Sequence, residues 1–359
     1  MPEYTDLNTV LRKIPSPDEK ARAAAQNQWA SCAKPLGSLG LLEDALTEMA
    51  ALTGRAKIEL TPRTVLVLCA DNGVVAQGVS QSGSEVTSIV AHALAAGQSN
   101  VCRMAALASC HVLPVDMGIL DFTPEPGVFE SRIGNGTVDM TRGPAMTRAQ
   151  AEQAILAGIE LVRMQKEAGV HLLATGEMGI GNTTTATAVA CVLLGRTPQE
   201  LTGRGAGLSD AGLIRKRRAI ETALAVNRPD AKDPVDVLSK VGGFDIAGLC
   251  GVFLGGALYR IPVLVDGAIS AVAALCAVRL CPRASAAVFA THQSAEPAGA
   301  LLLQALEKKP LITAGMRLGE GTGAVAAMPM LDMALAIYQG STFSDYGMQP
   351  YTPQEAQGC

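Results

Sequence analysis

Residues 64–73, T-V-L-V-L-C-A-D-N-G, run apolar or β-branched without alternation and close on an acid and a glycine. A strand with one wet face alternates polar and apolar. An unbroken run is what a parallel strand covered on both faces requires, and the glycine marks a tight turn into a helix. The same pattern returns in V-L-P-V-D-M-G at 112–118, V-H-L-L-A-T-G-E-M-G at 170–179 and P-V-L-V-D-G at 262–267. In an open parallel sheet the carboxyl ends of the strands form the ligand crevice, so Asp71, Asp116, Glu177 and Asp266 are expected along one rim. The alternative for each is a local one, in which the acid only caps the helix that follows.

Strands and helices alternate from about 62 to 305. Thr147 opens a helix with apolar residues at 151, 155, 158, 159 and 162, an Ala/Val/Leu helix spans about 184–194, and Ser209 caps a basic helix over 209–227. Repeated β-α units imply right-handed crossovers and a doubly wound α/β sheet. Residues 1–61 read as helical, interrupted by K-P-L-G-S-L-G at 34–40 with Ser38 placed to cap the next helix, and residues 306–359 turn helical again. Two units follow: a large α/β domain over 62–305, and a small helical domain from 1–61 plus 306–359.

Composition narrows the function. Of 359 residues, 48% are hydrophobic, 17% charged and 3% aromatic, with 37 glycines, which suits helices packed closely on a sheet. A net charge of −4 without long basic runs leaves no footprint for nucleic acid or an anionic membrane surface. The most apolar stretches fall short of the roughly 18 residues a membrane span needs, and the first ten residues lack the apolar core of a signal peptide, so the protein is expected in the cytoplasm. Nine cysteines, none in a C-x-x-C pair, read as small core residues in a reducing compartment, and four histidines offer no ligand cluster, so no metal is expected.

Four glycine-rich loops could carry chemistry. G-E-M-G-I-G-N-T-T at 176–184 joins a buried strand to a helix; its freed N–H groups, with Asn182, Thr183 and Thr184, make a site for one phosphate or are only a turn. T-G-R-G-A-G-L at 202–208 precedes a helix carrying Lys216, which either reaches back to an anion or is solvated like its neighbours Arg215, Arg217 and Arg218. T-H-Q-S at 291–294 follows the apolar run A-A-V-F-A, and the three loops together could surround one anion. In M-R-L-G-E-G-T-G at 316–323, Glu320 stands between glycines that let a carboxylate approach a ligand closely, as a general base or as an ordinary loop glutamate. No G-x-G-x-x-G and no G-x-x-x-x-G-K-[ST] occurs, which argues against an oxidoreductase built on a dinucleotide and against a triphosphate site.

K-P-L-G-S-L-G at 34–40, C-A-D-N-G-V at 69–74, G-E-M-G-I-G-N-T-T at 176–184, D-V-L-S-K-V-G-G-F-D at 236–245, L-V-D-G at 264–267 and M-R-L-G-E-G-T-G at 316–323 together resemble the nicotinate-nucleotide:dimethylbenzimidazole phosphoribosyltransferases of cobamide lower-ligand synthesis. The resemblance implies a Rossmann-like large domain, a small helical domain from both termini, a homodimer, no cofactor, and exchange of the nicotinate of nicotinate mononucleotide for a benzimidazole-type base. It also implies that Glu320 takes the azole proton. Glu177, Gly179, Gly181, Asn182, Lys216, Asp266, Gly267, Ser294 and Arg317 would line the ribotide pocket, with Ser82 near the base. The chain departs from better-known members at Val90, where a glutamine that helps hold the benzimidazole is expected; a more apolar pocket keeps purine and phenolic nucleophiles open. A ribotide-binding partner subunit without turnover is the competing reading.

Overall fold

The sheet is built from the runs that the sequence marks. In the computed structural model, which describes residues 4–352, β1 (Arg63–Ala70), β2 (His111–Gly118), β3 (Phe129–Glu130), β4 (Leu172–Met178), β5 (Val263–Val265) and β6 (Val288–Ala290) form one sheet in the order β3-β2-β1-β4-β5-β6. Every neighbouring pair is parallel. This is the doubly wound order of a Rossmann-like fold, and its direction reverses between β1 and β4, where such sheets bind ligands.

All of β1 is buried, because both faces are covered. On one side Leu68 meets the glycine-rich helix Phe244–Tyr259 at Gly248; on the other Val65 lies under Gly321 at the start of the helix Thr322–Tyr338. Phe244–Tyr259 packs in turn on Arg148–Glu167 at glycine contacts. A methyl group added to Gly158 would lie 2.0 Å from the Gly248 carbonyl oxygen, and one added to Gly251 would lie 1.9 Å from that of Ile155. The high glycine content therefore includes backbone-to-backbone helix packing as well as turns.

Local signals translate unevenly. Thr147 closes a capping box with Gln150, and Ser209 caps Asp210–Asn227 by accepting from the Gly212 N–H. Ser38 does not cap Leu41–Thr53. Gly40 holds the cap position without a side-chain bond, and the Glu43 carboxylate instead reaches back to the Leu39 N–H at 2.9 Å. The two-residue β3 has no counterpart in the sequence reading.

The two ends of the chain meet. Glu19–Ser31 packs on Leu41–Thr53, which packs on Thr322–Tyr338. Trp29 stands edge-on to Tyr338 at 4.9 Å, and Cys32 bridges to Thr342. Thr322–Tyr338 also touches β4 and β5, and Asp332 forms a two-pronged pair with buried Arg63 at the start of β1, both contacts 2.8 Å. The first helix, Leu7–Lys13, rests instead on Arg148–Glu167 and Phe244–Tyr259. Among the described residues all eight cysteines are free thiols, six of them buried, while Cys359 lies outside the described residues. Among the described residues no helix is long and apolar enough to cross a membrane.

Candidate active site

Of the four strand-end acids, two are spent on fastening the strand ends. Asp71 accepts from the Thr87 hydroxyl at 2.6 Å and the Leu120 N–H at 2.8 Å. Asp116 accepts from the N–H groups of Gly118 and Ile119 at 2.9 and 2.8 Å and pairs with Arg132 at 2.7 Å. Neither caps the helix that follows its strand: Asp116 closes its own turn, and Asp71 ties Thr87 of the helix Glu85–Ala95 to the turn after β2. Glu177 and Asp266 behave differently, because the loop 316–323 from the far end of the chain comes down between them.

Three consecutive left-handed residues shape that loop, Gly319 at φ +91°, Glu320 at +61° and Gly321 at +97°. Only the middle one has a side chain that resists this conformation, and such strain persists where surrounding contacts enforce it. Gly176 in β4 provides the room: a methyl group there would lie 2.4 Å from the Glu320 carbonyl oxygen. The half-buried Glu320 carboxylate accepts from the Asn100 amide at 3.2 Å and the Val101 N–H at 3.1 Å, at the amino end of the helix Asn100–Leu107. Gly319 faces Glu177, whose Oε1 would be 2.8 Å from a methyl group on it. The two glutamates therefore share one rim.

Asp266 is buried and caps a helix distant in sequence, not the one that follows it. Its Oδ1 accepts from the N–H groups of Gly323 and Ala324 at 2.7 and 3.2 Å, and its Oδ2 from Gly321 at 3.2 Å. This fastens the carboxyl end of β5 to the loop carrying Glu320. Gly267 lies next to Ser294 and His292, both 3.9 Å from where its side chain would begin. Ser294 is buried, and the Ala295 N–H donates to the Met316 carbonyl at 3.0 Å, which seats exposed Arg317 beside the 291–294 loop.

Around the glycine loop of β4 a second half forms. Gly179 lies against the Ala70 carbonyl, and Gly181, at φ +92°, begins the helix Asn182–Leu194. Lys216, only 1% exposed, donates to the Thr183 hydroxyl at 2.8 Å, with Gly205 of the second loop beside both groups. Burial pulls its ammonium down to about 8, against the opposing pull of the Glu296 carboxylate. A cavity of about 70 Å³ opens here between Ser80, Gln81, Gly179, Thr183, Arg204 and Ala206. A buried cation hydrogen-bonded to one hydroxyl, beside two glycine-rich loops, suits an oxyanion. Ser82 lies half-buried in the adjoining loop. Val90 is half-buried one turn beyond Thr87 on the helix Glu85–Ala95, and Thr87 joins Asp71 to the Ile180 N–H at 3.1 Å.

Sequence reasoning passed over Asp245, Asn72, Thr87 and Asn100. Asp245 is fully buried at the start of Phe244–Tyr259, and burial raises its carboxyl to about 7. Burial, then the carboxylates of Asp245 and Asp266, push Glu177 well above the usual carboxyl range. Among the described residues no group of three or more His, Cys, Asp or Glu is arranged to hold a metal ion.

Comparison with known proteins decides the family. A phosphoribosyltransferase family profile matches residues 14–348. The nicotinate-nucleotide–dimethylbenzimidazole phosphoribosyltransferase of Ruminiclostridium cellulolyticum is 45% identical over 332 residues, 92% of this chain and 94% of its own. The chain belongs to this phosphoribosyltransferase family. The enzyme of that name from Clostridium acetobutylicum is 40% identical to this phosphoribosyltransferase over 97% of the chain and 99% of its own. The crystal structure of CobT from Thermus thermophilus superposes with a TM-score of 0.87 at 39% identity, covering 92% of this chain and 99% of that one.

Proposed function

We propose that this phosphoribosyltransferase moves ribose 5-phosphate from nicotinate mononucleotide to 5,6-dimethylbenzimidazole or a related base, releasing nicotinate and an α-ribotide, with Glu320 as general base. The observation that carries the reading is the pairing, on one rim, of a glutamate on a strained loop with a second carboxyl at the β4 end, next to a buried lysine suited to a phosphate. Lys216, Thr183 and the glycine-rich loops 179–183 and 204–206 hold the phosphate. Gly267, Ser294 and Arg317 border the ribose, Asp266 fastens the loop beside it, and Ser82 and Val90 lie toward the base.

The chemistry follows from the leaving group. The pyridinium nitrogen of nicotinate mononucleotide already carries positive charge, so when the C1′–N bond breaks its electron pair neutralises the ring and nicotinate departs. The sugar acquires oxocarbenium character, which Glu177 stabilises as carboxylates do in glycoside cleavage. The azole nitrogen that bears no hydrogen attacks C1′ from the opposite face as the N–H proton of the other ring nitrogen passes to the Glu320 carboxylate. A β-ribotide thereby becomes an α-ribotide. The same base would deprotonate a phenol or a purine, and an aliphatic Val90 beside the base keeps those acceptors within reach.

The test is a panel of azoles, purines and phenols incubated with nicotinate mononucleotide, followed by chromatography for nicotinate and mass analysis of the ribotides. Nicotinate release that depends on an added base, with a benzimidazole ribotide among the products, is the expected result. Binding of nicotinate mononucleotide without release for any acceptor would establish the non-catalytic subunit instead.

A further inference from the structure

Glu177 is joined through the Asn182 side chain to a second buried carboxyl, Asp245, that plays no part in the scheme above. The side-chain amide nitrogen of Asn182 donates to Glu177 Oε2 and, at 3.2 Å, to Asp245 Oδ2. One amide group thus answers two carboxyl groups, all three side chains being buried. Asp245 accepts otherwise from its neighbour's N–H, Ile246, at 2.9 Å. Its Oδ2 also approaches Gly179, and would lie 3.3 Å from a methyl group there. With Oε2 engaged by Asn182, the other oxygen of Glu177 is the one that faces Gly319 and the Glu320 loop.

We propose that Asp245, acting through Asn182, is a positioning residue that turns one carboxyl oxygen of Glu177 toward the sugar and sets the charge that Glu177 carries. It rests on the phosphoribosyl-transfer reading above and names a residue to which that reading gives no role. The groups facing Glu177 come from every side: Asp245 from Phe244–Tyr259, Asp266 beyond β5, Glu320 from the 316–323 loop, Cys69 from β1, and His292 facing Asp266 from behind. None but His292 can be cationic. Two buried acids on one amide cannot both ionise readily, so the charge on Asp245 decides how readily Glu177 gives up its proton to stand as a carboxylate opposite the developing oxocarbenium. The Asn182 amide lowers the cost of that charge, and the Asp245 charge raises it.

Those two influences have opposite signs, which a purely structural role would not produce. In carbon-13 NMR of carboxyl-labelled protein without substrate, with the Glu177 resonance assigned by its loss in Glu177→Gln, Asp245→Asn is expected to move the Glu177 midpoint to lower pH by about one unit or more. Asn182→Ala is expected to move it to higher pH, and the acidic limb of kcat/KM for nicotinate mononucleotide follows both directions. A Glu177 midpoint shared by wild type and both variants, or shifts of the same sign, would overturn the proposal. So would a resonance that does not titrate between about pH 4 and 10. The titration needs no turnover, so its failure is separate from a failure of nicotinate release by the wild type.

Discussion

Lys216 is a cation kept from water, and that burial has a measurable cost. Its ammonium titrates at about 8 in the folded chain against 10.5 when free. Between those values the unfolded chain binds more protons, so stability rises with pH across the window, and below about pH 8 the full penalty is present. It amounts to roughly 3 kcal/mol. Lys216→Met should therefore unfold at higher denaturant than wild type at pH 7, with the gap closing by about pH 10, in urea titrations without ligand. The same variant should bind nicotinate mononucleotide about 10- to 100-fold more weakly by calorimetry, the worth of a charge-assisted hydrogen bond. Unchanged affinity would remove the lysine from the phosphate site. This burial is poorly legible in sequence: Lys216 sits among Arg215, Arg217 and Arg218, and helical periodicity alone does not tell which of four adjacent cations turns inward. Asp245 is hidden for a related reason. At the start of an apolar helix it reads as one more acid near an amino end, and only the fold brings it to Asn182.

Elements were more readable than residues because burial on both faces leaves a simple record. β1, β2 and β4 appear as unbroken apolar runs, and Thr147 and Ser209 cap their helices through bonds made within one turn. Where the decisive contact comes from elsewhere, the record fails. Ser38 has the right residue type, but Glu43 makes the bond, and the two residues of β3 are too few to show a period. The partner of Asp266 is likewise a helix more than fifty residues away in sequence. Helix packing supplies a test at this scale. Gly251→Ala would place a methyl group 1.9 Å from the Ile155 carbonyl oxygen. Since the neighbour is backbone and must shift, a loss of about 1–3 kcal/mol in thermal unfolding is expected. Activity per folded molecule should hold at permissive temperature, because the contact lies on the helix layer away from the strand ends. The carboxyl cluster gives the opposite pH signature to Lys216. Asp245, raised to about 7 from 3.8, keeps a proton that the unfolded chain releases. Its contribution is complete below about pH 4 and is lost as pH rises through 7, and Asp245→Asn should remove that decline.

At the scale of the whole molecule the site is made by joining two parts of the chain. The proposed phosphate half belongs to β4 and the loops around it, whereas Glu320 and Arg317 arrive with the segment that leads into Thr322–Tyr338. That helix packs on β4 and β5 on one side and on Leu41–Thr53 on the other, and Arg63 and Asp332 tie it to β1. The terminal helices and the sheet should consequently unfold together. Trp29, the single tryptophan and a buried one, reports the terminal region against Tyr338, so its fluorescence and the far-ultraviolet circular dichroism should share one midpoint in urea. Separate midpoints would mean that the terminal helices form an independent unit. The fold class and the loops were legible because each is written in a contiguous stretch. How a loop near the end of the chain fits between two strand ends is not, since Gly176 and Gly319 carry that information only as space left empty.

Transfer of the azole proton to Glu320 is the step on which the proposed chemistry turns, and the kinetics of Glu320→Gln test it most directly. With nicotinate mononucleotide and 5,6-dimethylbenzimidazole both saturating, kcat should fall by roughly 10² to 10⁴, the usual worth of a general base, while the affinity for nicotinate mononucleotide stays within a few-fold. A variant that turns over at the wild-type kcat would contradict that role.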